Sequence, residues 1–477
     1  MNMMNSKIEV LSPEAMDRVH EASMEILAKK GVIFESEKAR DLLKKAGCKV
    51  EGEIVFFPRA LVEASVKQCP STFKLQAMDD AKSVNCGAQL SVHPAGGEVF
   101  VSDLKQGRRA PLLKDFANMQ KVYHACENIP IAGYQPMSPS DVPQRYKGMY
   151  MTYESFKHCD KPLLAPMELD SIAEKEENLR LYEVAFGKEG FCQDHYVTWH
   201  AVCPNSPLYY SEFACEGIEV YAAWNQPVSI VSAPMSGITS PVFLYSTVAL
   251  QNAEQLAGLV YAQLIKPGVP VILSASLTYG NLKYASWECA APDTALMLIA
   301  ATQMYKDYYH LPARAQTGVT SSKAIDYQAG METMQSFILT ALAGVTLTSQ
   351  SVGTLENLMC TSFEKTVLDD ELIGRVQHIL KGMETTEETL ALDEIYEADF
   401  RGDFMTNDST LDYCHDDWQP TVSDWESYEQ WEKNGSPDLI EQASKRVQKI
   451  LDEAPEMVVD PAVEAEMKKY MKMVEAR

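Results

Sequence analysis

From about residue 88 to residue 385 the chain alternates short apolar runs with longer amphipathic ones. The runs are "IPIAGYQPM" from Ile129, "KPLLAPM" from Lys161, "HYVTWHAV" from His195, "QPVSIVSAPM" from Gln226, "VPVILSASL" from Val269, "LPARAQTGV" from Leu311 and "GVTLTSQSV" from Gly344. Their starts are spaced by 31 to 43 residues, and five of the seven carry proline at the second position. Proline has no N–H to give a ladder, so its place in a sheet is the strand entry. The runs are apolar throughout rather than alternating, which fits parallel strands covered on both faces.

Between the runs lie helical patterns. "TVALQNAEQLAGLVYAQLI" puts Leu250, Ala253, Ala257, Val260 and Leu264 on one stripe and stops before Pro267-Gly268. With "GGEVFVSDL" from Gly96 counted as a further strand, eight strand–helix units result. That predicts an α/β fold, a TIM (β/α)8 barrel over residues 88–385, near the size of about 250 residues such barrels need. An open doubly wound sheet would bind dinucleotides through G-x-G-x-x-G, and no strand here is followed by it.

The flanks read differently. Residues 1–87 predict N-terminal helices and a hairpin packing on the barrel, the first helix opening at Ser12-Pro13 and closing at Gly31. Residues 386–477 predict a helical C-terminal extension that is acidic and rich in Trp and Tyr, with an amphipathic helix from Ile440 to Leu451.

Charge and cysteine usage narrow the classes. Acidic residues number 67 against 42 Lys and Arg, a net charge of −25. This argues against nucleic acid as a partner, since its phosphates require clustered cations. The 11 cysteines form no C-x-x-C pair and an odd count, as expected of reduced thiols in a cytoplasmic protein. The N-terminus lacks a signal-peptide profile, and no apolar run approaches a membrane helix. Homo-oligomerisation stays open.

In a barrel the chemistry sits at the C-terminal strand ends. "ARAQTGVTSSKAIDYQAGME" (313–332) has a hydroxyl-rich turn ending in Lys323, but no glycine sits directly before that lysine, so the phosphate-loop spacing fails. His200 and Cys203 have a spacing open to zinc, without a third ligand. No G-x-S-x-G elbow appears. The exits are instead rich in aromatics and amides, an inventory suited to holding a cation by ring faces.

"SGITSPVFLYSTVALQNAEQLAGLVYAQLIKPGVPVILSASL" (236–277), "TGVTSSKAIDYQAGMETMQSFILTALAGVTL" (317–347) and "FEKTVLDDELIG" (363–374) resemble the trimethylamine methyltransferase (MttB-type) family, and the likeness extends over nearly the whole chain. The family resemblance implies a TIM barrel that passes a methyl group from an amine to the Co(I) of a corrinoid on a separate cognate protein, with no cofactor tightly bound to this chain. Trimethylamine-specific members carry pyrrolysine near the strand exit where this chain has Ala315, Gln316 and Thr317. The chain therefore resembles non-pyrrolysine members, whose substrates are quaternary amines: glycine betaine, proline betaine, carnitine or γ-butyrobetaine.

On exit position and residue type, Tyr134, Trp199, Tyr279 and Phe363 are expected to form a substrate cage. Glu168 is expected to face the cation, and His93, His200, Gln316 and Gln350 to position it, with Gln316, Gln350 and Glu168 nearest the chemistry. Two other readings stand beside this one. The first is a zinc-dependent methylcorrinoid:thiol methyltransferase of the uroporphyrinogen-decarboxylase-like type. The second is a non-catalytic scaffold binding a betaine or a corrinoid protein.

Overall fold

The computed structural model describes residues 7–415 and 418–477; part of the acidic run at 412–417 thus lies outside the described residues. Eight strand–helix units follow one another. They are β1 (Ser91–Val92) and α1 (Leu113–Ala125), β2 (Ala132–Gly133) and α2 (Gln144–His158), β3 (Leu163–Leu164) and α3 (Ile172–Ala185), and β4 (His200–Val202) and α4 (Glu212–Ala223). The second half comprises β5 (Val228–Ile230) and α5 (Leu244–Ile265), β6 (Val271–Ala275) and α6 (Pro292–Thr302), β7 (Ala313–Gln316) and α7 (Tyr327–Leu342), and β8 (Leu347–Ser349) and α8 (Phe363–Lys381).

Strands β4, β5, β6, β7, β8 and β1 form a parallel sheet in that order, and β2 pairs in parallel with β3. The two arcs are joined by a parallel bridge from Gly96 to Gln135 and by the Ala165 N–H donating to Thr198 Oγ1 at 2.7 Å. The result is a TIM (β/α)8 barrel.

The proline pattern has a direct structural cause. β3, β5, β6 and β7 each begin one residue after their proline. The carbonyls of Pro162, Pro227, Pro270 and Pro312 accept ladder bonds from the preceding strand, at Ala132, His200, Val228 and Leu273. Only the missing donor is given up, where no partner is needed.

One strand differs from the sequence expectation. "GGEVFVSDL" does not supply the barrel's first strand. Phe100–Asp103 instead pairs with Gly107–Arg109 and with Cys360–Ser362, in a small sheet completed by Thr354–Leu355. The loops after β1 and β8 thus build that sheet, and the barrel strand is the two-residue Ser91–Val92. A strand so short carries almost no hydrophobic signal, whereas the apolar Val99–Val101 run belongs to the small sheet outside the barrel.

Helix α5 is buried nearly all round because helices Pro13–Glu25 and Arg59–Gln68 pack over the side facing away from the barrel. Its polar residues hold the neighbouring strand ends. Gln251 Nε2 donates to the Ser232 carbonyl at 2.7 Å, and Gln255 Nε2 to that of Ser274 at 2.9 Å. Glu254 accepts from Ser206 Oγ at 2.8 Å, from the Leu208 N–H at 2.7 Å and from Ser232 Oγ. Helices Leu439–Glu453 and Pro461–Glu475 pack on the outer ring, the first against α1 and α8, the second against α2 and α3.

A hairpin, Phe73–Leu75 with Val84–Cys86, supplies residues to the barrel's inner core beside Ile131, Trp199, Ile272 and Leu347. Among the described residues no helix is long and apolar enough to cross a membrane.

Candidate active site

Strand alternation assigns each exit residue a face. On β4, Trp199 and Ala201 belong to the inner core, so His200 between them points outward. It stacks on Tyr221 of α4 at 4.7 Å between centroids, against Gly217, whose missing side chain makes room for the imidazole. Burial holds His200 down to about 3. The expected positioner is a neutral packing residue of the helix layer. Cys203 lies on the other face of the strand, so the His200/Cys203 spacing does not converge on a zinc ion.

On β7, Ala313 and Ala315 face the helices, and Arg314 and Gln316 face the interior. Arg314 is 2% exposed. Its Nε donates to His93 Nε2 at 3.1 Å, and its Nη1 to Ser274 Oγ. With Nε2 accepting, His93 carries its proton on Nδ1 and donates it to the Pro94 carbonyl at 3.1 Å. Burial, reinforced by the Arg314 charge, holds His93 far below its ordinary value, so the ring is neutral with both nitrogens engaged.

The His93 ring meets Tyr134 edge-on at 5.4 Å and Trp199 at 5.5 Å. Tyr134 reaches this cluster because the backbone turns it in. Ile131 is inner and Ala132 outer, so strict alternation would send Tyr134 outward. Gly133 and Tyr134 both take left-handed φ, 73° and 60°, which returns the ring to the interior. Its flank lies on Gly96, where a Cβ would stand 2.0 Å from the ring. Trp199 is fully buried, braced from the other side by Phe73.

Above this layer lie the amides. Gln316 Nε2 donates to Cys289 Sγ at 3.3 Å. Gln350, at φ 58°, donates to the Gly96 carbonyl at 3.3 Å and leaves its Oε1 buried without a partner among the described residues. Ser349 Oγ beside it is likewise unpartnered. Cys203, at the end of β4, is exposed although it lies close enough to feel the Arg314 charge. Open space therefore reaches into the barrel at that level.

The remaining expected residues sit elsewhere. Glu168 is ion-paired with Lys147 at 3.0 Å and accepts from Ser138 Oγ at 3.0 Å, which directs its carboxylate toward α2. Phe363 opens α8 and packs in the outer helix core. Tyr279 is half-buried on the rim hairpin Thr278–Asn281 with Ser286–Glu288. The hydroxyl-rich turn after β7 is satisfied from within: Thr320 and Ser321 bond Glu332, and Ser322 bonds the helix cap Asp326. Nothing there is left to cradle a phosphate.

Sequence reading missed Arg314. The available signal was a lone arginine inside a run otherwise buried on both faces. It also missed Glu98, fully buried behind Tyr134, with one carboxyl oxygen unpartnered and its acid pushed far up by burial.

The pattern of the trimethylamine methyltransferase (MTTB) family matches residues 2–476. The chain belongs to that family. It is 31% identical over 473 residues to a glycine betaine methyltransferase of Desulfitobacterium hafniense, covering 99% of this chain and 98% of that one. It is 28% identical over 454 residues to the trimethylamine methyltransferase MttB of Methanosarcina barkeri, covering 93% and 91%. The solved monomethylamine methyltransferase MtmB of Methanosarcina barkeri shares the fold, with a TM-score of 0.55 at 10% identity, covering 95% and 90%. The chain is accordingly an enzyme of the methyltransferase class.

Two blocks that resemble the family have scaffold roles in this structure. Glu254 and Gln255 of the "NAEQ" block in α5 bolt the ends of β5 and β6, as described above. In "FEKTVLDDELIG", Lys365 pairs with Asp369 at 2.7 Å inside the core. Asp370 Oδ1 accepts from the Asn128 N–H at 2.9 Å, and Glu371 from the three successive N–H groups of Thr421, Val422 and Ser423.

Proposed function

We propose that this enzyme demethylates a small quaternary amine of the betaine type and passes one N-methyl to a corrinoid on a separate cognate protein. The observation that carries this reading is the protonation state of the inner site. Its one imidazole, His93, is neutral with both nitrogens committed, and the carboxylate expected beside it, Glu168, is neutralised by Lys147. Aromatic rings, free amide and hydroxyl oxygens and a cation remain, and these bind and orient rather than move a proton; the protonated acid of Glu98 is fully buried and bonded to Thr354.

That is sufficient for a quaternary nitrogen. When a methyl leaves, its bonding pair stays on nitrogen and a neutral tertiary amine departs, so no acid is required. The corrinoid, in its Co(I) state, supplies the nucleophile. The exposure of Cys203 at the end of β4 shows open space at that level of the barrel, room for a small substrate. The protein holds the nitrogen and one methyl in line with that nucleophile and keeps water out.

Tyr134 and Trp199 supply ring faces, with Tyr279 at the rim, and the Gln350 and Ser349 oxygens turn their dipoles toward the cation. The charge on nitrogen falls during transfer, so a cage of two rings and weak dipoles suits turnover better than a closed one. A closed cage would favour bound substrate over the transition state. The glycine betaine methyltransferase relative supports the same substrate class.

The test is to incubate the protein with Co(I) cobalamin and, separately, glycine betaine, proline betaine, carnitine, γ-butyrobetaine and trimethylamine, following methylcobalamin by absorbance. Methylcobalamin with a betaine and none with trimethylamine is the expected result. Formation with trimethylamine alone, or with no amine at all, overturns it.

A further inference from the structure

Arg314 is a buried cation whose charge nothing among the described residues answers. Its guanidinium is 2% exposed and is held by two neutral partners, His93 and Ser274. Among the described residues no carboxylate pairs with it; the ionisable groups that bear on it are Tyr134 and Cys203. Burial pushes Tyr134 up, and desolvation deep in the barrel does the same to Cys203 although its thiol faces open space, so both stay protonated and neutral. Removing a guanidinium from water without a counter-charge is expensive, and folded proteins seldom do it without a ligand to complete the pair.

The neighbourhood is built to receive one. Cys203 beside it borders open space, and Ser349 Oγ, one strand over, lacks a partner. His93, its own orientation fixed by Pro94, holds the guanidinium in one geometry.

Resting on the proposed function, we infer that Arg314 is the receptor for the carboxylate of a zwitterionic quaternary amine. Arg314 lies two residues inside Gln316 on the same strand face, a depth of roughly 6–7 Å below the exit layer. The His93 ring that holds its guanidinium also meets Tyr134 and Trp199, so the carboxylate receptor and the ring faces are set against one imidazole. The pairing selects against amines without an anion: choline and tetramethylammonium fill the ring site but leave the guanidinium unpaired.

The test is calorimetric binding to the full chain without corrinoid, using glycine betaine, choline, tetramethylammonium, acetate and inorganic phosphate. Wild-type protein is expected to bind glycine betaine about 100-fold more tightly than choline, the scale of a buried charge pair. R314Q is expected to remove that preference while changing tetramethylammonium affinity less than about 3-fold, and R314K to restore part of it. Ligand-free R314Q should melt no lower than wild type, because the substitution removes an unanswered charge.

Equal wild-type affinities for glycine betaine and choline overturn the inference without any variant. Retained glycine betaine affinity in R314Q overturns it and leaves the proposed function standing. Acetate binding that R314Q abolishes, with no quaternary amine bound, upholds the carboxylate site and sinks the proposed function. Inorganic phosphate binding as tightly as acetate overturns the carboxylate assignment in favour of a general anion hole.

Discussion

The closest packing at the site offers its sharpest test, at a residue with no side chain. Gly96 sits against the Tyr134 ring, and a Cβ there would fall 2.0 Å from Cε1, 2.5 Å from Cδ1 and 2.8 Å from Cζ. Ordinary contact begins at 3.4 Å, so Gly96→Ala forces the ring back by about 1.4 Å. Tyr134 cannot swing out, since its backbone is fixed at φ 60° with its N–H bonded to the Leu164 carbonyl. The ring must press on His93, whose edge-on contact at 5.4 Å and hydrogen bond to Arg314 then shift as well.

A desolvated cation–π contact contributes about 2 kcal/mol, so losing the Tyr134 face should weaken tetramethylammonium binding roughly 30-fold. Overpacking should lower stability by about 1–3 kcal/mol. The assay is calorimetric affinity for tetramethylammonium with a parallel denaturant melt, in both the wild-type and Tyr134→Ala backgrounds. If the effect runs through the ring, Gly96→Ala should cost affinity in the wild type and almost none once Tyr134 is alanine. Equal losses in both backgrounds, or no loss in either, refute the placement of Tyr134 at the site.

Other predictions follow from buried ionisable groups and from one turn. Burial pushes Glu254 up to about 7 from an ordinary 4.5, so the folded state binds its proton more tightly than the unfolded one. Stability should therefore fall as pH rises from about 4.5 to 7, by about 3 kcal/mol in all, and Glu254→Gln should flatten that limb in denaturant melts. His200 acts at the acid end: with a folded value near 3 against 6.5 unfolded, it contributes a loss as pH falls below 6.5, about 2 kcal/mol by pH 5. His200→Phe should remove that loss without altering quaternary-amine affinity. Gly318, at φ 72°, would place a Cβ 2.8 Å from Ser351 Cα. Gly318→Ala should cost about 2–3 kcal/mol, read as a lowered denaturant midpoint.

The barrel was legible because its strand entries are punctuated: proline occupies the one strand position where a missing N–H is free, and four strands begin immediately after it. β1 escaped for want of length. Two residues, Ser91–Val92, cannot outweigh Val99–Val101 nearby. At the site, residue type was readable and orientation was not. Trp199 and His200 are neighbours, and the parity of β4 alone decides that the tryptophan faces inward and the histidine outward. Parity would in turn have misplaced Tyr134, which enters the interior only through two left-handed residues. Gln350 bends at a further one, φ 58°. Such backbone turns leave little trace in a hydrophobic pattern. The trace of Arg314 was plain, yet a charge in a buried strand has meaning only once its lack of a partner is seen.

The same lack of a partner bears on how the proposed reaction ends. Methyl transfer removes the charge that the rings recognise and leaves the carboxylate that Arg314 recognises, so the product is held at one end only. The Tyr134 and Trp199 faces lose their cation at the moment of transfer, and in this inner site His93 has no proton to give the new amine, since both its nitrogens are engaged. The tertiary amine regains a proton only on meeting water, which happens as the product leaves. Release and protonation are then one event, and the return reaction is opposed because the protonated amine no longer offers the lone pair that would reclaim the methyl. An unpaired carboxylate facing the site would instead hold the ammonium formed when the amine meets water, and would delay its departure. The pairing of Glu168 with Lys147 prevents this. Lys147→Met should free that carboxylate and slow product release, so that turnover falls while a single methyl transfer, followed by rapid mixing with Co(I) cobalamin, keeps its rate. An equal fall in both rates would mean that Glu168 affects the transfer itself, and this account of release would fail.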